Sequence, residues 1–262
     1  MLEDITLKAA QRMRYIAGVR WRLLTIRPRR IGDIVEIGGP QLVRASTSRR
    51  QGEWLAKLAV RAARSAGEPV RVLELGTCVG ISGMYLLSGM AEERGGHLAT
   101  FEGRPELAER AKRNMREFIE RFALGNVGFE VVVGWFQDSY EPYVRSALGP
   151  FHLVFIDGHH QAEPTLRYHA IARAALAENG IIVHDDIAWS SGMAQAWRSI
   201  RETEKDHLIV ELLQGNRPSR GIIFYGQSPA ASTPRFHVDR LPERVLRRAV
   251  AVWTQRKQSA VS

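Results

Sequence analysis

The sequence predicts an α/β fold in which a doubly wound, mostly parallel sheet of seven strands carries helices on both faces. Three observations support it. Short apolar runs with strand character alternate with longer helical stretches between residues 71 and 184. The first run, Val72-Leu73-Glu74-Leu75, breaks at Gly76 and enters an apolar helix after Gly80. Four of the strands end in acidic residues, which a parallel sheet would gather on one edge.

Taken in order, residues 4–24 read as a helix with Ile5, Ala9, Met13 and Ile16 on one face and arginines on the other. Arg27-Pro28-Arg29-Arg30 ends it, and residues 31–47 read as irregular or extended, with Gly38-Gly39-Pro40 as a breaker. Ser46, Thr47 or Ser48 can cap a helix over 49–66, whose apolar stripe is Trp54, Leu55, Leu58 and Ala59. Strands follow at 71–75, 97–102, 127–133, 151–156 and 180–184, separated by helices at 81–93, 105–122, 139–147 and 163–178. Leu208–Leu213 and Gly221–Tyr225 flank Gly215-Asn-Arg-Pro-Ser, which reads as a loop between antiparallel strands. Residues 228–234 read as a linker, and Pro242 opens a terminal helix with Val245, Leu246, Ala249 and Trp253 inward.

At 262 residues the chain can bury a full core. No apolar run approaches the roughly 18 residues of a membrane span. The opening Met-Leu-Glu-Asp-Ile-Thr lacks the regions of a signal peptide, and the one cysteine, Cys78, fits a reducing compartment, so a cytoplasmic protein is expected. In the glycine loop Cys78 reads as a small packed residue, ahead of a nucleophile. The net charge of +9 is concentrated at the ends. Residues 1–50 hold 11 Lys/Arg against 4 Asp/Glu, and 231–262 hold 7 against 2, while the middle holds 19 against 22. Such ends fit a solvated helix face or a subunit contact, and less well a nucleic acid or anionic lipid.

The loop spacing, Glu-x-Gly-x-x-x-Gly, is not the Gly-x-Gly-x-x-Gly of pyrophosphate-binding folds. An acidic residue beside it suits a cationic ligand. Glu102 closes the second strand 22 residues past Gly80, where a carboxylate can accept from both hydroxyls of a ribose. Asp157 closes the fourth strand and Asp185-Asp186 the fifth. Each acid alone could cap the next helix. Together they repel unless cations hold them, and Asp157, Asp185 and Asp186 are hard oxygen ligands suited to Mg²⁺.

Arg71-Val-Leu-Glu-Leu-Gly-Thr-Cys-Val-Gly-Ile-Ser-Gly resembles the first motif of the class I S-adenosylmethionine-dependent methyltransferases. Phe155-Ile-Asp-Gly-His-His, His184-Asp-Asp-Ile-Ala-Trp-Ser-Ser-Gly and Gly134-Trp-Phe-Gln-Asp narrow this. They are similar to the metal-dependent O-methyltransferases, of both the catechol type and the macrolide/aminocoumarin sugar type. The resemblance covers about residues 48–200. It implies a Rossmann-like methyltransferase fold whose sheet is closed by an antiparallel strand. It also implies S-adenosylmethionine held by Glu74, Gly76, Thr77, Gly80, Ser82, Glu102, Trp135, Phe136 and Asp157. Magnesium would be bound by Asp157, Asp185 and Asp186. The chain departs from both types where it places His159 and His160 after the first metal Asp, and where the third ligand is Asp186 instead of the catechol type's Asn.

The expected reaction is methyl transfer to a hydroxyl of a small molecule, such as a sugar, natural-product or catechol-like acceptor. The metal would lower the hydroxyl's pKa, and a histidine would remove the proton, His159 being slightly favoured over His160 because it matches the sugar type's proposed base. His184, inside a strand, reads as a packing residue, and Trp189 as lining the acceptor pocket. The expected organisation is a basic helical extension over 1–47, an S-adenosylmethionine-binding domain over 48–227, and a linker with a basic helix over 228–262. The resemblance implies that the N-terminal segment covers the site or forms a homodimer contact. A nucleic-acid methyltransferase is the first rival, supported by the basic ends. It is disfavoured by the lack of an Asn/Asp-Pro-Pro-aromatic tetrapeptide or an RNA-binding module. A non-catalytic interaction module is the second, an NAD-dependent oxidoreductase a distant third. A family similar in these motifs hydroxylates instead of methylating, so fold alone does not fix the reaction.

Overall fold

The computed structural model describes residues 33–34, 36–39, 47–230 and 232–237. The expected helices over 4–24 and from Pro242 lie outside the described residues, as does most of the 31–47 segment.

Residues 33–34 and 36–38 are helical, where the sequence read as irregular or extended. The helix α1 (Arg49–Ala66) begins where Ser48 closes a capping box with Gln51: the serine hydroxyl accepts from the Gln51 amide, and the Gln51 side chain accepts from the Ser48 amide. It ends at Gly67, whose φ of 70° is the left-handed cap that glycine adopts without strain. Then come β1 (Val70–Leu75), α2 (Ile81–Ala91), β2 (Gly96–Glu102), α3 (Pro105–Arg121) and β3 (Val127–Val133). The chain continues through α4 (Phe136–Ser146), β4 (Phe151–Ile156), α5 (Ala162–Ala174) and β5 (Leu176–His184). It closes with α6 (Ser191–Thr203), β6 (Leu208–Gln214), β7 (Arg217–Phe224) and β8 (Arg235–His237).

The strands form one sheet in the order β3-β2-β1-β4-β5-β7-β6-β8. β3, β2, β1, β4 and β5 run parallel, and β7 is inserted antiparallel between β5 and β6. The seven expected strands are all present, and the short β8 adds an eighth by pairing with β6. β4 is buried along its whole length, and β1 at all but one position, which is why these strands read as continuous apolar runs. No helix among the described residues is long and apolar enough to cross a membrane.

Four further details differ from the sequence reading. α4 starts at Phe136, three residues early, because Phe136 packs into the core beside Tyr168 and His159. α5 stops at Ala174, and β5 begins at Leu176 with an irregularity in its pairing to β4. Arg217, Pro218 and Ser219 belong to β7 and not to a loop; Pro218 pairs with Leu213 at a register shift, where its missing N–H is tolerated. The helix α6 has no counterpart in the reading. Ser190 caps it, and Met193, Ala196, Trp197 and Ile200 bury its inner face.

α1 and α2 lie against each other on one face of the sheet, and small residues permit the approach. A Cβ at Gly89 would stand 2.2 Å from the Ala56 carbonyl oxygen, and one at Gly52 would overlap the Tyr85 ring. Alanine gains about 0.5–1 kcal/mol over glycine in a helix, less than the roughly 1–3 kcal/mol that overpacking costs. Gly89→Ala is therefore expected to lower the unfolding free energy, read as a left-shifted denaturant midpoint with an unchanged slope.

Candidate active site

Backbone hydrogen bonds carry the strand register past the strand ends and align the acidic residues. The Asp157 amide donates to the Leu75 carbonyl, Asp185 to Ile156, and Gly134 to Glu102. The carboxyl ends of β2, β1, β4 and β5 thus form one rim, the edge at which open α/β sheets take ligands.

The loop after β1 turns on three left-handed residues, Gly76 (φ 105°), Cys78 (φ 49°) and Gly80 (φ 85°). At Gly76 only glycine fits: an added Cβ would lie 2.0 Å from the Asp157 carbonyl oxygen. Glu102 holds the loop in shape, one carboxylate oxygen accepting from the Cys78 amide at 2.8 Å and the other from the Arg104 amide at 3.0 Å. Each oxygen has a second lone pair, so the carboxylate can still accept from a hydroxylated ligand. Burial pushes the Cys78 thiol up, away from the thiolate a nucleophile needs.

Beneath the loop Glu74 is completely buried. Its Oε2 accepts from the Thr100 hydroxyl at 2.7 Å, and Thr100 also meets Thr77. Its Oε1 has no hydrogen-bond partner. Burial pushes the carboxyl up from 4.5 to about 7, against the nearby Ser82 and Thr100 hydroxyls and the charge of Arg220, which pull it down. An orphaned, buried acceptor beneath a bare-backbone cradle fits a ligand that brings its own positive charge or N–H donors.

Trp135 and Phe136 each cover the glycine that follows a rim acid. A Cβ on Gly103 would lie 2.4 Å from the Trp135 ring, and one on Gly158 2.3 Å from the Phe136 ring. Trp135 remains 54 % exposed and offers a free face next to Glu102; Phe136 is half-buried.

The two histidines after Asp157 have different surroundings. His159 meets the Tyr168 hydroxyl through Nδ1 at 2.7 Å and stacks on that ring, with Phe136 at its edge. His160 lies between two carboxylates, its Nε2 3.7 Å from Asp157 and its Nδ1 3.6 Å from Asp186. These contacts are within ion-pair reach but too long for hydrogen bonds. The exposed Trp189 ring lies 6.4 Å from the His160 ring. His184 is buried, as expected, against His169 and Trp197. Of the five non-glycine residues with positive φ among the described residues, four belong to this rim: Cys78, His159, His160 and Asp186. Strain of that kind gathers at functional sites.

Asp185 departs from the expectation. The guanidinium of Arg220, on β7 and 1 % exposed, binds it with both forks, Nε to one oxygen at 2.9 Å and Nη2 to the other at 2.6 Å. Burial alone would lower the guanidinium's pKa, but the Asp185 carboxylate outweighs it and raises it, so Arg220 stays charged. Burial and the neighbouring Asp185 both raise the Asp157 and Asp186 carboxyls. Among the described residues no group of three His, Cys, Asp or Glu side chains is placed to hold a metal ion. Asp157, Asp185 and Asp186 do reach the same rim, but the positive fork of Arg220 already lies against both Asp185 oxygens, so they do not fit the expected three-carboxylate magnesium site, in which the ion would be that carboxylate's counter-charge. The sequence reading missed Arg220; an arginine heading the apolar run Gly221-Ile-Ile-Phe was the signal.

Residues 73–187, from β1 to just past the acidic pair, match the family described as a methyltransferase domain. An O-methyltransferase from Bacillus cereus in complex with SAH is 20 % identical, with a TM-score of 0.58 over 80 % of this chain and 96 % of its own. Cofactor-bound Rv0187 from MTB is 23 % identical, TM-score 0.58, over 80 % and 94 %. The O-methyltransferase TomG from Streptomyces achromogenes, in complex with SAM, is 20 % identical, TM-score 0.55, over 80 % and 94 %. At these identities the likeness establishes a Rossmann-like methyltransferase fold. None of the curated proteins compared matches the sequence. The match over residues 73–187 and the shared fold make this chain similar to the class I S-adenosylmethionine-dependent O-methyltransferases.

The raised Glu74 carboxyl has a pH consequence. The folded chain holds this proton more tightly than the unfolded chain, so stability falls as pH rises from about 4.5 to about 7. Glu74→Gln removes the buried charge. It is expected to exceed the parent's stability at pH 8 by about 3 kcal/mol, a gain that fades towards pH 4.5, as read by denaturant melts across that range.

Proposed function

We propose that this chain is an S-adenosylmethionine-dependent O-methyltransferase acting on a hydroxyl of a small-molecule acceptor. One observation carries the reading: a left-handed glycine cradle over an orphaned buried Glu74 opens beside a histidine held between two rim carboxylates. The fold likeness to TomG, an enzyme of tomaymycin synthesis, supports a small natural-product acceptor.

Gly76, Thr77 and Gly80 would present backbone to the cofactor, with Glu74 facing its positively charged end. The free lone pairs of Glu102 would accept from the ribose hydroxyls, and the open face of Trp135 would carry the adenine. Bound there, S-adenosylmethionine supplies an electrophilic methyl carbon, which bonds to the acceptor oxygen as its bond to sulfur breaks, leaving a methyl ether and S-adenosylhomocysteine. The residues have two tasks: to align the acceptor oxygen and to take its proton. His160 fits the second task better than His159, reversing the sequence preference. Both Asp157 and Asp186 would stabilise the imidazolium that forms when His160 accepts the proton. His159 has its Nδ1 committed to Tyr168 and its ring to the stack. Trp189 would supply an apolar wall for the acceptor. No step of this reading passes through a divalent ion.

Calorimetry with S-adenosylhomocysteine tests the first half. The parent chain is expected to bind it and Gly76→Ala to lose it; a parent that does not bind contradicts the reading. A screen of sugar, phenol and catechol acceptors by methyl-transfer assay tests the second. With an acceptor in hand, His160→Ala is expected to lower kcat by about 10²–10⁴-fold while cofactor affinity stays put. His159→Ala is expected to change kcat much less, and the opposite ranking would reassign the base.

A further inference from the structure

Arg220 is the largest fully buried side chain among the described residues, and all three of its guanidinium nitrogens are engaged. Nε and Nη2 take the two Asp185 oxygens, and Nη1 donates to the Gln51 carbonyl of α1 at 3.0 Å. Its plane also faces the Phe155 ring at 5.2 Å. Next to it Ser219 ties β7 to α1 and to the loop after β5: the Gln51 amide group reaches its hydroxyl at 3.3 Å, and the Ile187 amide donates to its carbonyl at 3.1 Å. Asp185 passes the constraint on, since the oxygen that meets Nε also accepts from the Asp186 amide at 2.9 Å. That bond fixes Asp186 in its left-handed conformation, with its carboxylate beside His160. The order of contacts is therefore Arg220, Asp185, Asp186, His160, Asp157.

We propose that Arg220 is the built-in cation of this rim: it neutralises Asp185 where a divalent ion would otherwise bind, and positions Asp186 and His160 through that carboxylate. The inference rests on reading this rim as the methyltransferase site. A bidentate guanidinium satisfies two carboxylate oxygens in one plane, as a metal ion does, but has no vacant coordination position for substrate oxygens. The acceptor then needs no second oxygen adjacent to the one methylated, because nothing in the rim chelates a pair. Arg220 is a positioning residue; it touches neither reacting atom.

The test is uptake of Mn²⁺, a probe for hard-oxygen sites, followed by electron paramagnetic resonance on the full chain with and without S-adenosylhomocysteine. The parent is expected to leave the Mn²⁺ signal that of the free ion. Arg220→Met, which frees Asp185, is expected to bind Mn²⁺ at least about tenfold more tightly than the parent. Tight binding by the parent that Asp185→Asn abolishes would overturn the proposal, as would a folded Arg220→Met chain that gains none. Should Arg220→Met not fold, the parent alone decides: the Arg220 Nε–H resonance in an NMR spectrum is expected to stay in place as Mg²⁺ is added, and a shift or loss of it overturns the proposal. Calorimetry with S-adenosylhomocysteine separates this from the function reading. Lack of cofactor binding counts against the function, while the Mn²⁺ result on the free chain still judges Arg220.

Discussion

Much of the rim depends on the pairing of Asp185 with Arg220. Parallel strands ending side by side place Glu74, Asp157, Asp185 and Asp186 within electrostatic reach: beyond burial, Asp185, Asp186 and Glu74 raise the Asp157 carboxyl, and Asp185 raises that of Asp186. Buried acids this close cannot all stay ionised without a counter-charge. Arg220 supplies one, held by two carboxylate oxygens and one backbone carbonyl, so neither member of the pair is left unpaired in a low-dielectric setting. Glu74 is treated differently: burial outweighs its hydrogen bonds, and its carboxyl sits near neutrality with one oxygen unused. The rim thus divides into a half whose acid is paired with Arg220 and a half whose acid is shifted towards neutrality by burial.

That division explains the geometry around it. Asp185, fixed by the guanidinium, holds the Asp186 amide and so the left-handed turn that aims Asp186 at His160. The other side of the same histidine faces Asp157, whose own carbonyl oxygen lies where a Cβ on Gly76 would be. Cradle and histidine are therefore built against each other across β1 and β4. Trp135 and Phe136 close the picture by resting on the glycines after Glu102 and Asp157, which leaves no room there for any larger residue.

Much of this was legible in the sequence. The strand spans of β3 and β4 match the reading residue for residue: β4 is a fully buried apolar run, and β3 is a half-buried run rich in Val and Phe, each bounded by turn residues. Ser48, one of three candidate caps, proved to be the cap because Gln51 stands at the third helical position to complete the box. The cluster of acids was visible as well, since parallel topology turns a recurrence along the chain into proximity in space. What the sequence hid was pairing at long range. Arg220 lies 35 residues from Asp185 and meets it only because β7 is inserted antiparallel beside β5. The different settings of His159 and His160 were hidden for a similar reason: Tyr168, one helix away, meets the first, and the second lies between two carboxylates. The helix α6 is a different case. Its i, i+3, i+4, i+7 stripe of Met193, Ala196, Trp197 and Ile200 was present in the sequence and went unread beside the acidic motif.

The most direct measurement is a crystal structure grown with S-adenosylhomocysteine and a high concentration of Mn²⁺, with data collected at a wavelength where manganese scatters anomalously. The account predicts the nucleoside between Glu74 and Glu102, Arg220 still bidentate on Asp185, and no anomalous peak at that carboxylate. A manganese peak bridging Asp157, Asp185 and Asp186, with the guanidinium turned away, would contradict it.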